Sequence, residues 1–263
     1  MPGKLYSGPK TKYLIPLPPL PTTVPTPTPT DAELVPRIEA RSAKGNPPFY
    51  QVAGKRYTVL ASAAGYRERG VASWYGRDFH GKSTSTGERY DMYAMSAAHK
   101  TLPLPCYARV TNLSNGRSVV VRINDRGPFV SNRVIDLSYT AASRLDMIRN
   151  GTAFVEVQTL VPEGSLGAGA PLRLQAAEAA PAPQPTRQLV IQVGAYGDEA
   201  NARNTAARLQ GAGLAPTVVT PAAGSRLTRV RVAGITSVEQ FDRIMNQLRT
   251  LGFPDARLAT DQE

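Results

Sequence analysis

Glu88, Asp91, His99 and Asp125 fall within a 38-residue stretch, and His99 is one of only two histidines in the 263-residue chain. They stand in Gly87-Glu88-Arg89-Tyr90-Asp91, in Ala97-Ala98-His99-Lys100-Thr101-Leu102-Pro103 and in Asn124-Asp125-Arg126-Gly127-Pro128-Phe129. Three carboxyl groups and an imidazole at this density suit proton transfer. Cleaving a glycosidic bond needs one carboxylic acid to protonate the leaving oxygen, and usually a second carboxylate to stabilise or attack the positive anomeric carbon. Like charges crowded around a cleft raise the pKa of at least one member, which then stays protonated near neutrality. The same residues also have a plainer reading. Asn-Asp-Arg-Gly-Pro is turn chemistry in its own right, and Glu88 and Asp91 follow the loop Ser83-Thr84-Ser85-Thr86, where acids are ordinarily solvated. His99, on a predicted short helix from Ser96 to Lys100, reads as a structural histidine or as a group that orients a carboxylate. Spacing alone leaves each of these alternatives open.

The elements that must position these residues are mostly strands. From Gly70 onward, β-branched and aromatic runs (Val71–Tyr75, Tyr107–Asn112, Arg117–Ile123, Ala153–Val157) alternate with Gly, Asn and Asp turns, the pattern of an all-β domain over 69–163. Asn115-Gly116 predicts a tight hairpin, because both residues tolerate positive φ. One helix is predicted from Ser138 to Ile148, with Ser138 as N-cap and Ala141, Ala142, Leu145 and Ile148 as its apolar stripe. Asp136, just before it, is expected to organise the helix start, since acidic groups favour helix N-termini. Tyr50–Val52 and Tyr57–Leu60 predict a small lead-in element over 46–68.

Two segments look unpacked. Nine of the first thirty residues are proline, interleaved with threonine, which favours solvated polyproline II, so 1–45 is predicted to be a tether. Residues 164–187 hold seven Ala and four Pro without periodicity and read as a linker. Beyond it, Leu189–Val193, Thr217–Thr220, Leu227–Val232 and Ala256–Ala259 read as strands, with helices at Ala200–Gln210 and Val238–Leu251. This β-α-β-β-α-β order over 188–263 predicts a ferredoxin-like plan.

The net charge of +11 is spread along the chain rather than clustered, which argues against nucleic acid as a partner and suits weak attraction to a polyanionic surface such as a cell wall. One cysteine, Cys106, and two histidines leave no basis for a disulfide or for a metal site, and no cofactor is expected. No apolar stretch approaches the roughly 20 residues needed to span a bilayer. The first residues lack the regions of a signal peptide, so the written sequence by itself predicts a cytosolic protein unless a leader precedes it.

The series Gly70-Val71-Ala72-Ser73-Trp74-Tyr75-Gly76, Thr86-Gly87-Glu88, Ala97 to Pro103, Arg109-Val110-Thr111-Asn112, Val121 to Phe129 and Ile135-Asp136-Leu137-Ser138 closely resembles the rare lipoprotein A family over about 69–163. The resemblance implies a double-psi β-barrel and, in some members, a lytic transglycosylase that acts on peptidoglycan glycan strands stripped of their stem peptides. Glu88, Asp91, His99 and Asp125 match the family's active-site groups. Asp125 is then the implied general acid, Glu88 and Asp91 stabilise charge or bind sugar, and His99 supports them. Trp74 and Tyr75 offer ring faces to sugars or, equally, fill the barrel core.

Residues 188–263 resemble the SPOR domain, on Gln192-Val193-Gly194-Ala195-Tyr196 and Arg229-Val230-Arg231-Val232. That likeness implies binding of denuded glycan at division septa, with Gln192, Tyr196 and Arg229 as contacts. Together the resemblances imply a periplasmic protein at the septum, with divisome partners and an outer-membrane lipid anchor by family analogy alone, since no lipobox is written here. A catalytically silent wall-binding protein of the same two folds is the alternative.

Overall fold

The computed structural model describes residues 34–160, 188–214, 216–221 and 226–261. Most of the proline-rich tether and almost all of the 164–187 linker's neighbourhood, including the linker itself, lie outside the described residues.

Between 67 and 160 six strands close into a barrel in the order β3-β7-β4-β6-β5-β8. These are β3 (Arg67–Trp74), β4 (Ser96–His99), β5 (Cys106–Asn112), β6 (Ser118–Asp125), β7 (Arg133–Leu137) and β8 (Ala153–Leu160). Two of the pairings, β3 with β7 and β4 with β6, are parallel, and the rest are antiparallel. The barrel matches the double-psi expectation. Its interior is filled by Val110, Val121, Ile123, Ile135, Leu137, Val155 and Val157, all fully buried. The Asn115-Gly116 hairpin joins β5 to β6, with Gly116 at φ +75°, where a Cβ would be strained.

Three local expectations change. Ser96–His99 is strand, not helix: its four buried residues pair with β6 on one side and β7 on the other, and that tertiary pairing overrides local helix preference. The helix after β7, α1, spans only Tyr139–Arg144. Ser138 caps it as expected by accepting from Ala141 N, but Asp146 takes φ +58° and the helix stops short of Ile148. Finally, the last part of the expected tether lies against the barrel. Glu39 bonds Arg122 and Tyr107, and Ser42 N donates to Leu104 O at 2.9 Å; Asn46, the first residue of the lead-in segment, exchanges two hydrogen bonds with the Leu104 backbone.

The lead-in element is a hairpin of β1 (Phe49–Val52) and β2 (Lys55–Thr58). Tyr50 reaches from it to Lys100 O at 2.7 Å and, with Tyr57, packs against Phe129.

The C-terminal part follows the predicted plan: β9 (Leu189–Tyr196), α2 (Glu199–Gly211), β10 (Thr217–Pro221), β11 (Thr228–Val232), α3 (Val238–Thr250) and β12 (Arg257–Thr260). The sheet order is β10-β11-β9-β12, antiparallel throughout. Asp198 and Ser237 cap the two helices with their side chains. Ala202, Ala206 and Leu209 of α2 and Phe241, Met245 and Leu248 of α3 bury one sheet face with Ile191, Val193, Val230, Val232 and Leu258. Val71 and Phe154 of the barrel join this cluster, Phe154 meeting Phe241 edge-on at 5.7 Å. Around that apolar contact, Arg133 pairs with Asp242 through two bonds of 2.8 Å.

Candidate active site

Along β6, Val119, Val121 and Ile123 point into the barrel, and strict alternation would send Asp125 after them. A register shift prevents this. Ala97 of β4 stands opposite Ile123, but the next residue, Ala98, stands opposite Asp125, so Asn124 is the extra residue of a bulge. Asp125 therefore shares the face of Ala98. On its other side Ala98 pairs with Asp136 of β7, and Asp136 pairs with Ser73 of β3. Directly opposed residues lie on the same face. Ser73, Asp136, Ala98 and Asp125 thus form one row across four strands, on the wall opposite the core.

The loop between β3 and β4 folds over this row. Its tip turns at Ser83–Arg89, where Thr84 N donates to Glu88 O and Gly87 N to Thr84 O. Asp125 anchors the tip: its Oδ1 accepts from Ser85 N at 2.8 Å, Ser85 Oγ at 2.6 Å and Arg126 N at 2.7 Å. Oδ2 of Asp125 accepts no hydrogen bond among the described residues. Glu88 is held by β6 itself, with Arg122 donating to both carboxylate oxygens at 2.8 and 3.0 Å and Asn124 Nδ2 to Oε2 at 2.7 Å. Hydrogen bonding from Arg122 holds the Glu88 carboxyl below the usual range, against the opposing effect of burial. Glu88 is an anion here. Arg122 is shared, since its Nε and Nη2 also reach Glu39 at 2.8 Å each. Asp91 sits on the outer side of the loop, exposed, accepting from Tyr93 N at 2.9 Å and lying 3.7 Å from His80 Nδ1.

The structure brings Glu88 and Asp125 together under one loop, with Asp91 farther along it. It does not bring His99 to them. His99 follows Ala98 on β4, so alternation turns it to the other face, opposite Ile135. There it is 2% exposed and borders a cavity of about 330 Å³ with Tyr66, Glu68, Lys100, Thr101 and Arg133. Burial, and then the charges of Lys100 and Arg126, push its pKa down to about 3, so the ring is neutral. Nδ1 accepts from Thr101 N at 3.2 Å and Leu102 N at 3.1 Å, which leaves the proton on Nε2. Nε2 then donates to the Tyr66 hydroxyl oxygen at 3.0 Å, and that hydroxyl donates to Glu68. In this arrangement His99 pins the segment after β4.

Aromatic rings border the loop. Tyr75 packs edge-on against Tyr90 at 4.8 Å and near Phe79 at 5.8 Å. Trp74 is half-buried against the core and meets Tyr139 at 5.8 Å, which in turn meets Tyr93 at 6.3 Å. Phe79 and Tyr93 are 45% and 57% exposed, and the sequence reading missed both. The available signal was an aromatic in a polar loop with no periodic partner to bury it. Asp136 was also assigned elsewhere: Ser138 alone caps α1, and the Asp136 carboxyl accepts from Ser73 Oγ instead.

In the C-terminal part, Gln192 of β9 stands between Arg231 of β11 and Arg257 of β12. Gln192, Arg229 and Arg257 line a polar cavity of about 320 Å³ together with Arg67, Glu68, Arg69 and Glu156 of the barrel. Tyr196 is not in this lining. Its ring lies over Gly194, where a Cβ would come within 2.9 Å of the Tyr196 hydroxyl. Among the described residues no cluster of His, Cys, Asp and Glu could hold a metal ion.

A closed six-stranded barrel with a carboxyl-bearing outer wall, followed by a ferredoxin-like sheet, defines a double-psi barrel protein with a SPOR domain. Residues 67–157 match the family described as lytic transglycolase, and residues 185–257 match the SPOR domain. The endolytic peptidoglycan transglycosylase RlpA of Pseudomonas aeruginosa (strain PAO1) is 39% identical over 272 residues, covering 84% of this chain and 79% of the relative. The protein of the same name from Neisseria meningitidis (strain Z2491) is 55% identical over 131 residues, covering 50% of this chain and 54% of the relative. That from Vibrio cholerae is 52% identical over 125 residues, covering 48% and 47%. The chain belongs to the RlpA family.

Proposed function

We propose that this chain is a peptidoglycan lytic transglycosylase. It cleaves the β-1,4 bond between N-acetylmuramic acid and N-acetylglucosamine and leaves 1,6-anhydro ends. The observation that supports this reading best is the bulge that turns Asp125 outward beneath the Ser85 loop, with one carboxyl oxygen unclaimed and an ionised Glu88 beside it. Asp125 is the carboxylate nearest the reacting centre. Glu88 contributes fixed negative charge, which favours a developing cation at C1, and Asp91 binds sugar hydroxyls from the rim. His99 acts indirectly, by fixing the backbone after β4. Trp74 and Tyr75, with Phe79 and Tyr93, offer ring faces to successive sugars.

The SPOR domain, through Gln192, Tyr196 and Arg229, carries the enzyme to glycan strands that lack stem peptides. By the same reading the protein works in the periplasm at the division septum, among divisome proteins and with a lipid anchor in the outer membrane, where it helps daughter cells separate. Amidase-treated sacculi digested with the protein and analysed by mass spectrometry provide the test. The wild type is expected to release anhydro-ended fragments, and Asp125→Asn to lose about 100-fold or more of that activity. Reducing ends would indicate a hydrolase, absence of products a silent wall-binding protein, and an unimpaired Asp125→Asn a different centre.

A further inference from the structure

We propose that the hairpin of β1 and β2, with Phe129 beside it, is a glycan-binding surface of the barrel, and that it takes strands whose muramoyl residues carry a free lactyl carboxylate. This rests on the transglycosylase reading above and gives the barrel its own means of choosing strands that lack stem peptides, apart from the SPOR domain.

The hairpin has two faces. Pairing sets Tyr50 opposite Tyr57, Gln51 opposite Arg56 and Phe49 opposite Thr58. Side chains alternate along a strand, so Tyr50 and Tyr57 share one face while Phe49, Gln51, Arg56 and Thr58 share the other. The tyrosine face docks: its two rings stack at 5.3 Å, both meet Phe129, and the Tyr50 hydroxyl donates to Lys100 O at 2.7 Å. The other face is bare. All four of its residues are exposed, Phe49 by 47%. The Arg56 guanidinium lies 3.7 Å from the centre of the Phe49 ring. Stacking of this kind engages the flat side of a guanidinium and leaves the N–H donors in its plane for a ligand. A phenyl ring flanked by a guanidinium, an amide and a hydroxyl offers a sugar both an apolar surface and hydrogen bonds to its rim.

Charge selects the ligand. From Ala40 to Tyr66 the chain carries four cations, Arg41, Lys44, Lys55 and Arg56, and no acid. Among the described residues none of the four forms an ion pair. A surface of unpaired ammonium and guanidinium groups attracts a polyanion, and arginine binds a carboxylate through paired N–H donors. In a strand that keeps its stem peptides the lactyl carboxyl of each substituted muramoyl residue is an uncharged amide. Removing the peptide frees a carboxylate there, so the denuded strand carries a row of negative charges that the hairpin complements. An anionic lipid surface would offer the same charge, but it would not account for the link between the hairpin and the residues around Asp125.

That link runs through two contacts. Phe129, 44% exposed, follows Asp125 by four residues, a chain span of at most about 14 Å. Between them Arg126 touches both sides: its backbone N donates to Asp125 Oδ1 at 2.7 Å, and its guanidinium carbon lies 5.8 Å from the centre of the Tyr50 ring. Lys44 extends the cations to the loop over the site, since a Cβ on Gly87, next to Glu88, would stand 3.5 Å from Lys44 Nζ. A strand seated at Asp125 therefore has neighbouring sugars within reach of Phe129 and the hairpin.

The test measures kcat and KM of the full chain on long denuded strands and on the same strands after coupling of their lactyl carboxylates to methylamine, which restores an uncharged amide without a peptide. Lys55→Glu with Arg56→Glu is expected to raise KM about tenfold on the carboxylate strands and to leave it within about twofold on the amide strands, with kcat unchanged on both. Phe49→Ala should raise KM about threefold on both, since a ring meets sugar whatever the charge. All three side chains are exposed, so the variants should melt at the wild-type temperature. An unmoved KM in the charge variant, an equal rise on both kinds of strand, or a fall in kcat alone would overturn the proposal. So would loss of binding to phosphatidylglycerol vesicles by the charge variant while its KM for strands stays at the wild-type value. A wild type that makes no anhydro ends would overturn the transglycosylase reading instead. The hairpin is then judged by cosedimentation with denuded strands, where about tenfold weaker binding by the charge variant sustains it and equal binding overturns it.

Discussion

Replacing Arg122 with methionine separates charge from packing at the base of the site. Arg122 grips two carboxylates: Glu39 through Nε and Nη2, and Glu88 through Nη1 and Nη2. Its side chain is 18% exposed and that of Glu39 21%, so the pair is screened less than a surface pair. Hydrogen bonds from Arg122, more than the opposing effect of burial, bring Glu39 from its ordinary 4.5 down to about 2. At about 1.4 kcal/mol per tenfold change in proton affinity, that difference is worth roughly 3 kcal/mol, and about 2 kcal/mol after allowance for residual solvent. A depressed carboxyl pKa stabilises the fold fully above the unfolded value and loses that contribution as pH falls through the folded one. Arg122→Met should therefore cost about 2 kcal/mol at pH 7, a fall in melting temperature of about 4–8 °C for a unit of this size. The cost should shrink to about 0.5 kcal/mol near pH 2, where Glu39 is protonated in the unfolded state and about half protonated in the folded one. Urea titrations of both proteins at pH 7, 4 and 2.5 measure this directly. An equal deficit at every pH would mean that the arginine stem acts by packing alone, and no deficit at pH 7 would mean that the pair is effectively solvated.

Two further outcomes are expected. Phe79→Ala with Tyr93→Ala removes exposed rings, so unfolding free energy should stay within about 0.5 kcal/mol of wild type while strand affinity in a pull-down falls about tenfold; unchanged affinity would remove these rings from the sugar path. Asp242→Ala breaks the two bonds to Arg133, and should split one calorimetric transition into two as the SPOR domain parts from the barrel. A single transition surviving in the variant would assign the coupling to the Phe154–Phe241 contact.

The chain order of elements was legible because it rests on short-range signals. β-branched runs, the Asn115-Gly116 turn and the cap Ser138 each act within a few residues of themselves. Ser96–His99 was misread for the complementary reason. Two alanines between Ser and His carry little strand preference, and the segment is a strand because β6 and β7 pair with it from both sides. The stretch around Glu39 looked like the end of a tether because the arginine and tyrosine that hold it are 83 and 68 residues away.

The sequence by itself determined which acids are present and the two folds that carry them. Tertiary structure decided which of those acids share a surface. A single extra residue at Asn124 reverses the direction of Asp125, since side chains alternate along a strand and one residue of slip exchanges the faces. The same alternation, without a bulge, turns His99 away from Asp125 although it follows Ala98 directly. Asp136, expected to organise the start of a helix, is instead set in one row with Ser73, Ala98 and Asp125 by the pairing of β3, β7, β4 and β6. Burial and strand register are properties of distant segments meeting, and it is these that decide which carboxyl groups share a surface.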